Sequence, residues 1–448
     1  MPKINRKGVY IAGALCIILL LAAYSYYSKV NEPVFSKVTK VNESNLTEKQ
    51  WMEDIDYLHK NLPKHHKNLY HDLKKEDFDK EITNLKNDIP NLKPYEIKVR
   101  LAEIIALVKD AHTSLSIESD DENIYPIGLS WFGMELRVVS ADRQYKDIIG
   151  AKLTKINGIN ADELMGKINR VIPHENGQWL RATNVRYIVM PDVLKSLNVT
   201  TQDKTEFSFI DKDGKEKKLI LAPEKLTSSN IVRGIDLAPI KPIRAQNDTK
   251  DPNSQLYWYK YVPEDKILYF QYNQCIDREV AKEYGEKDYN SLPDFNEFSK
   301  GLIDEINNKD VDKFVIDLRY NPGGNSKLMT DFVSKLNNIQ KLKGKGKIFV
   351  LTGRQTFSSG VWACLDLKKQ TKAIFYGEPT GGNVNGYGDI KMLTLPNSHW
   401  QISYSTKLFN LSDDYKEGFI PDVFVDQSFD NYMKGIDDIY EAVKNYKG

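Results

Sequence analysis

Cysteine is scarce in this chain of 448 residues. Its three cysteines, Cys16, Cys275 and Cys364, are far apart and odd in number, which excludes a disulfide framework and a cysteine-based metal site. An excess of one charge is also missing. Lysine and arginine total 63 against 62 aspartate and glutamate. No global field is available to hold nucleic acid, and no basic cluster interleaved with aromatic residues replaces it. Charge is absent altogether from Val9 to Ala23, which follows Lys3, Arg6 and Lys7 and stays apolar to about Tyr27. Roughly 20 apolar residues can span a bilayer as a helix. The basic flank favours an inside N-terminus and puts the residues after about 30 outside the cytoplasm. A cleaved signal peptide, with secretion, is the alternative. The passable site at Ala23-Tyr24-Ser25 is followed by bulky Tyr26 and Tyr27, which favours an uncleaved single-pass anchor in the cell membrane.

What is present reads as an α/β multidomain chain. Residues 28–46 form a polar linker. Thr47 and Gln50 make a capping box, and apolar stripes follow at helical spacing: Trp51, Ile55, Leu58 and Leu62, then Phe78, Ile82, Leu85 and Ile89, then Ile97, Leu101, Ile104, Ile105 and Val108. Residues 47–117 are therefore predicted as a helical domain. Its His59, His65, His66 and His71 lack a ligand partner at a recurring spacing and are taken as surface histidines. The last helix gives way to alternation at Asp110-Ala111-His112-Thr113-Ser114. His112 thus sits at a helix-to-strand junction. It either presents a functional side chain or is a helix-terminal histidine favoured by the macrodipole.

Residues 125–225 alternate as strands with short helices, with a hairpin-type turn at Asn157-Gly158 and a helix over 161–172. The order resembles a PDZ-like domain, a module that takes peptides by strand addition. A polar linker, 226–256, follows. From residue 257 to 428 strands and helices alternate, which implies a largely parallel sheet. A hairpin joins 391–395 to 400–404 around a tip bearing His399, and a C-terminal helix occupies 429–448. Three loops punctuate this part at strand ends, where α/β folds place their chemistry. They are Asp317-Leu318-Arg319-Tyr320-Asn321-Pro322-Gly323-Gly324, Gln355-Thr356-Phe357-Ser358-Ser359-Gly360, and Gly377-Glu378-Pro379-Thr380-Gly381-Gly382. Ser358 stands between a strand and a helix, as in a nucleophile elbow, but Thr356 occupies the place of that motif's first glycine. Taken alone, Ser358 or Ser359 reads more simply as a helix N-cap.

The flanking motifs change that reading. Asp317 to Gly324 resembles the Asp-Leu-Arg-x-Asn-x-Gly-Gly hallmark of the C-terminal-processing (tail-specific) serine peptidases, whose relatives include the tricorn core protease and interphotoreceptor retinoid-binding protein. Ser358 precedes Gly377-Glu378 by 19 residues, similar to that family's interval, and Ser358-Ser359-Gly360 resembles the tricorn-type Ser-Asp-Gly. The processing branch carries a lysine base where Asn383 stands here. The tricorn-like branch uses a His-Thr motif, which His112-Thr113 resembles.

The resemblance implies a crotonase/ClpP-like α/β catalytic domain and a serine peptidase acting on extracytoplasmic polypeptides. Ser358 would be the nucleophile and His112 the general base. The oxyanion hole would come from the Gly323 or Gly324 N–H together with that of Ser359. It also implies an orienting acid near Gly418-Phe419-Ile420-Pro421-Asp422. Glu417 is the nearest glutamate and Asp414 its rival, although Tyr415 occupies the family's offset. Asp317 and Arg319 would hold the Gly-Gly turn. No cofactor or metal is implied. A catalytically silent peptide- or lipid-binding protein and an esterase are the alternatives on the same scaffold.

Overall fold

A computed structural model describes residues 41–117, 123–225 and 230–448. The N-terminal run, and with it the choice between anchor and signal peptide, lies outside the described residues. Among those described, no helix is long and apolar enough to cross a membrane.

Three helices come first: α1 (Glu48–His65), α2 (Lys75–Asp88) and α3 (Pro94–Ala106). The Thr47 hydroxyl accepts from the Gln50 N–H, and the Gln50 side chain accepts from the Thr47 N–H at 3.0 Å. The three apolar stripes face one another and are buried, each large side chain contributing about 1.5–3 kcal/mol. The short strand β1 (Ser114–Leu115) follows. Next come β2 (Ile127–Phe132), β3 (Glu135–Asp142), β4 (Lys152–Ile156), α4 (Ala161–Asn169), α5 (Gly177–Tyr187), β5 (Thr205–Ile210) and β6 (Glu216–Leu221). The five strands β2 to β6 lie side by side in chain order, all antiparallel. Asn157 and Gly158 both adopt positive φ, 49° and 80°, the geometry that a two-residue hairpin requires. In the segment read as a linker, Ile231–Arg233 pairs with β3.

The second half is built on β7 (Tyr257–Val262), β8 (Ile267–Tyr272), α6 (Phe295–Asn308), β9 (Lys313–Asp317), α7 (Lys327–Leu336), β10 (Ile348–Thr352), α8 (Ser359–Gln370), β11 (Ile374–Gly377), β12 (Gly386–Thr394), β13 (Gln401–Phe409), β14 (Val423–Phe424) and α9 (Asp438–Lys444). One sheet has the order β14-β11-β10-β9-β8-β7. It is parallel apart from the β7–β8 pair. Its central strands are buried on both faces: Phe270, Phe314 and Ile316 pack on one core, Tyr269, Val315 and Phe349 on the other. That is why they read as continuous apolar runs. The region after residue 428 forms two short helices, Phe429–Lys434 and α9, rather than one.

The β12–β13 hairpin is longer than its apolar alternation suggests. It pairs from Gly386↔Phe409 to Thr394↔Gln401, and its outer ends carry Gly386, Gly388 and Lys407, which give no alternation signal. β13 also pairs with β1, Ser114 opposite Ser403. Leu393, Leu395, Trp400 and Ile402 join the core of the helices and the first sheet. The buried Asp54 carboxylate accepts the N–H groups of Asn397 and Ser398, both at 2.8 Å, and clamps the hairpin tip to α1.

Candidate active site

Ser358 closes the loop between β10 and α8. Thr356 holds that loop from within: its hydroxyl donates to the Leu318 carbonyl at 2.8 Å and accepts from the Gly353 N–H at 3.1 Å. Its own carbonyl accepts the Gly382 N–H at 3.0 Å. A threonine is therefore used where the elbow motif has glycine. Ser358 has φ 49° and ψ −123° and its side chain makes no capping hydrogen bond. An N-cap residue has extended backbone and a hydroxyl turned onto the helix N–H groups, so the capping role does not describe Ser358. Positive φ in a residue other than glycine stores strain of about 1–3 kcal/mol. Ser359 is different: its hydroxyl donates to the Gly324 carbonyl at 2.6 Å.

The Gly-Gly turn lies against this serine. A β-carbon on Gly323, at φ 111°, would fall 2.7 Å from the Ser358 β-carbon and 2.9 Å from the Ser359 nitrogen. Asn321 stitches the two loops, its carbonyl accepting the Phe357 N–H at 2.9 Å and its side chain accepting the Gly323 N–H at 2.9 Å. The Gly323 N–H is thereby occupied, which leaves Gly324 of the two glycines considered for an oxyanion hole. Ser359 is the first residue of α8, and N–H groups there have no intrahelical acceptor.

Below the turn is a buried ion network. The Arg319 guanidinium donates to Asp317 at 2.6–3.1 Å and to Asp437 at 2.8 Å. Arg244 reaches Asp437 at 2.6 Å, and the Tyr269 hydroxyl donates to Asp317 at 2.5 Å. These residues support the turn and lie outside the cavity that holds Ser358.

His112 enters that cavity from the other half of the molecule. Ser403 Oγ donates to the His112 carbonyl at 2.8 Å, so the β1–β13 pairing carries the histidine to the serine loop. The imidazole packs on the Phe357 ring at 4.6 Å between centroids, and Trp179 stacks on Phe357 at 4.2 Å. The cavity, about 830 Å³, is lined by His112, Ser358, Ser359, Gly324, Glu175 and Tyr387, among others. Burial lowers the His112 pKa below its ordinary value, against the opposing pull of Asp110 and the Tyr387 backbone. The ring is therefore neutral near pH 7 and able to accept a proton.

Two acids stand beside it. Asp110 is fully buried. Burial alone would raise its pKa, but the His66 hydrogen bond, the His112 charge and the Ser405 and Thr113 hydroxyls outweigh it and hold it down to about 2. Glu175 is pushed up to about 8 by burial and by Asp110, with backbone N–H groups of Asn383 and Ala111 pulling the other way. A His112 ring nitrogen and one oxygen from each acid lie within 4.8 Å of one another.

Three sequence readings change here. Glu417 and Asp414 are exposed and line no part of the cavity. The Gly418 backbone is pressed onto Thr380, where a β-carbon would come within 2.4 Å of the carbonyl oxygen. The Glu417 carbonyl accepts the Val384 N–H at 3.0 Å, and the side chain is left on the surface. His66 is buried, not on the surface: its Nε2 bonds Asp110 at 3.0 Å and its Nδ1 accepts the Asn68 N–H at 3.0 Å. Asp110 and Glu175 were missed as site residues. The Asp-x-His spacing was the available signal for the first, and the Pro173-His174-Glu175-Asn176 loop for the second.

Residues 288–425 match peptidase family S41. That match, within the second half of the chain, is in keeping with the resemblance to the tail-specific peptidases. The matched span contains Gly323, Gly324, Ser358 and Ser359, and His112 and Glu175 lie outside it. No curated protein matches the sequence. Among solved structures, mature CPAF is similar over 88% of this chain and 96% of that chain, at 14% identity and a TM-score of 0.61. Mature CPAF complexed with lactacystin is similar over 89% of this chain and 98% of that chain, at 12% identity and a TM-score of 0.59. At such identities the likeness is one of fold.

Proposed function

We propose that the protein is a serine peptidase in which Ser358 is the nucleophile and His112 the general base, acting on extracytoplasmic polypeptides. The observation that carries the reading is the backbone of Ser358: a strained, uncapped serine at the head of α8, in one cavity with a neutral, partly buried histidine. His112 takes the Ser358 hydroxyl proton as Oγ bonds to the substrate carbonyl carbon. The carbonyl π electrons move to oxygen, and the oxyanion is met by the Gly324 and Ser359 N–H groups. Donors of this kind are worth about 3–4 kcal/mol each in hydrolases. Collapse of the tetrahedral species breaks the C–N bond, and His112 passes its proton to the leaving amine. Water repeats the sequence on the acyl-enzyme and frees Ser358. The basic and then apolar N-terminus supports an extracytoplasmic setting.

The test is a fluorophosphonate probe applied to the full chain and read by intact mass and peptide mapping. Label on Ser358 is expected, with loss in Ser358→Ala and a large fall in His112→Ala. Label on Ser359 would move the nucleophile, and indifference to His112→Ala would remove the base. A folded protein that takes no label would point to the binding alternative.

A further inference from the structure

The Nδ1 atom of His112 is buried and has no hydrogen-bond partner among the described residues. A histidine base needs that atom engaged, because the hydrogen bond made by one ring nitrogen sets which of the two can accept the serine proton. The nearer acid by position is Asp110, whose Oδ1 lies 3.9 Å from Nδ1. At that distance Oδ1 makes no hydrogen bond to Nδ1, and Asp110 is otherwise committed, its Oδ1 to one donor and its Oδ2 to three. It accepts the His112 N–H at 2.9 Å, His66 Nε2 at 3.0 Å, and the Thr113 and Ser405 hydroxyls at 2.6 Å each, and a carboxylate offers about four acceptor sites. Glu175 has only the backbone N–H groups of Asn383 and Ala111 drawing on its charge, retains capacity, and brings one oxygen within 4.8 Å of a His112 ring nitrogen. Among the described residues it has no lysine or arginine partner.

Its mount is rigid and tied to the serine loop. The neighbouring Asn176 donates to the Gly381 carbonyl at 2.9 Å and to Asn383 Oδ1 at 2.8 Å, and caps α5 by accepting the Trp179 N–H at 3.0 Å. Trp179 in turn stacks on Phe357, beside Ser358.

We propose that Glu175 is the positioning acid of the reaction: its carboxylate accepts a hydrogen bond from His112 Nδ1 and balances the imidazolium formed when the ring takes the Ser358 proton. This rests on the Ser358–His112 reading and gives Glu175 the role that the family resemblance assigned to Glu417. Asp110 supplies fixed negative charge and shapes the His112 turn.

The arrangement has a pH signature. Glu175 titrates near 8 and His112 below its ordinary 6.5. Asp110 faces both, while Tyr284, Tyr387, Asp389 and Lys391 line the same cavity. As pH rises, the rate should climb once as His112 loses its proton and again as Glu175 becomes a carboxylate. Glutamine mimics the protonated acid, so Glu175→Gln should keep the lower step and lose the upper one.

The experiment is the rate of fluorophosphonate labelling of Ser358 against pH, in the full chain, for wild type, Glu175→Gln, Glu175→Asp and Glu417→Gln. Near pH 9, Glu175→Gln should react about 100-fold slower than wild type, the lower end of general acid–base contributions, and near pH 6.5 within about fivefold. Glu175→Asp, which keeps the charge, should retain an upper step. Glu417→Gln should follow wild type. An equal loss at every pH, as from a structural defect, would overturn the proposal, as would an unchanged profile in Glu175→Gln or loss of the upper step in Glu417→Gln. Wild type that labels without an upper step overturns the role of Glu175 alone. Wild type that does not label Ser358 overturns the Ser358–His112 reading as well.

Discussion

Replacing Arg319 with alanine tests what holds the Gly-Gly turn beneath Ser358. The guanidinium serves two carboxylates, Asp317 and Asp437, that are essentially inaccessible to water. Removing one partner of a buried ion pair costs about 3–5 kcal/mol, because the remaining charge is left uncompensated. Here the two carboxylates would fare differently. Asp437 keeps Arg244 at 2.6 Å. Asp317 keeps the Tyr269 hydroxyl at 2.5 Å and the residue-319 N–H at 3.0 Å but loses its only cation among the described residues. That residual support puts the expected cost near the lower end, about 3 kcal/mol, or a fall of roughly 6–12 °C in the melting transition of the half built on the parallel sheet, a unit of domain size. Scanning calorimetry on the full chain reads it directly. Adding Asp317→Asn should return part of the loss, since it removes the orphaned charge while keeping an acceptor for Tyr269. Labelling of Ser358 should fall in Arg319→Ala, because the turn it anchors packs on the serine. The reasoning fails if Arg319→Ala melts within about 2 °C of wild type, or if the double variant is less stable than the single one.

Gly323→Ala should uncouple activity from stability. The left-handed backbone costs about 1–2 kcal/mol, and the new methyl would press on Ser358, so labelling should collapse with a modest change in melting temperature; an alanine variant that labels normally would show that the turn does not seat the serine. The acid limb of stability should report Asp110. Its pKa is lowered to about 2 in the fold, so its contribution, about 2 kcal/mol, is complete above its ordinary 3.8 and disappears as pH falls through about 2. Denaturant unfolding of wild type and Asp110→Asn should therefore differ near pH 6 and converge towards pH 2; a constant difference would refute the assignment.

Local signals in the sequence located most of the framework. The Thr47 capping box, the three apolar stripes, the Asn157-Gly158 turn and the strand–loop–helix around Ser358 all depend on neighbours within a few residues, and pattern reading sees those. His112 was placed at its helix-to-strand junction for the same reason. What escaped depends on partners far along the chain. His66 sits among lysines and reads as exposed, yet it is buried because Asp110, 44 residues later, takes its Nε2 hydrogen. The outer ends of the β12–β13 hairpin are held by main-chain pairing across glycines, with no side-chain alternation to reveal them. Glu417 was chosen by distance along the chain from a motif, but backbone pairing of that segment with Asn383 and Val384 turns its side chain outward. For Glu175 the Pro173-His174-Glu175-Asn176 loop marked only a position, and nothing local tied its carboxylate to His112, 63 residues earlier.

The candidate site is assembled from two separate cores. Ser358 and the Gly-Gly turn stand on the parallel sheet, whereas His112 emerges from the helical core and is tied down by β1. The link is the β12–β13 hairpin. It leaves the parallel-sheet half just after Gly382, pairs with β1, and buries its tip against α1, where Asp54 receives two of its N–H groups. The distance between His112 and Ser358 is thus set by a hairpin that belongs structurally to the histidine's core and is covalently joined to the serine's. The loop bearing Glu175 repeats the device in the opposite direction: it comes from the first half and is hydrogen-bonded through Asn176 to Gly381 and Asn383 in the second. Two crossings between the same two bodies resist relative rotation better than one. This gives a physical reason for the acid that faces His112 to come from the Pro173–Asn176 loop, rather than from the surface segment around Gly418.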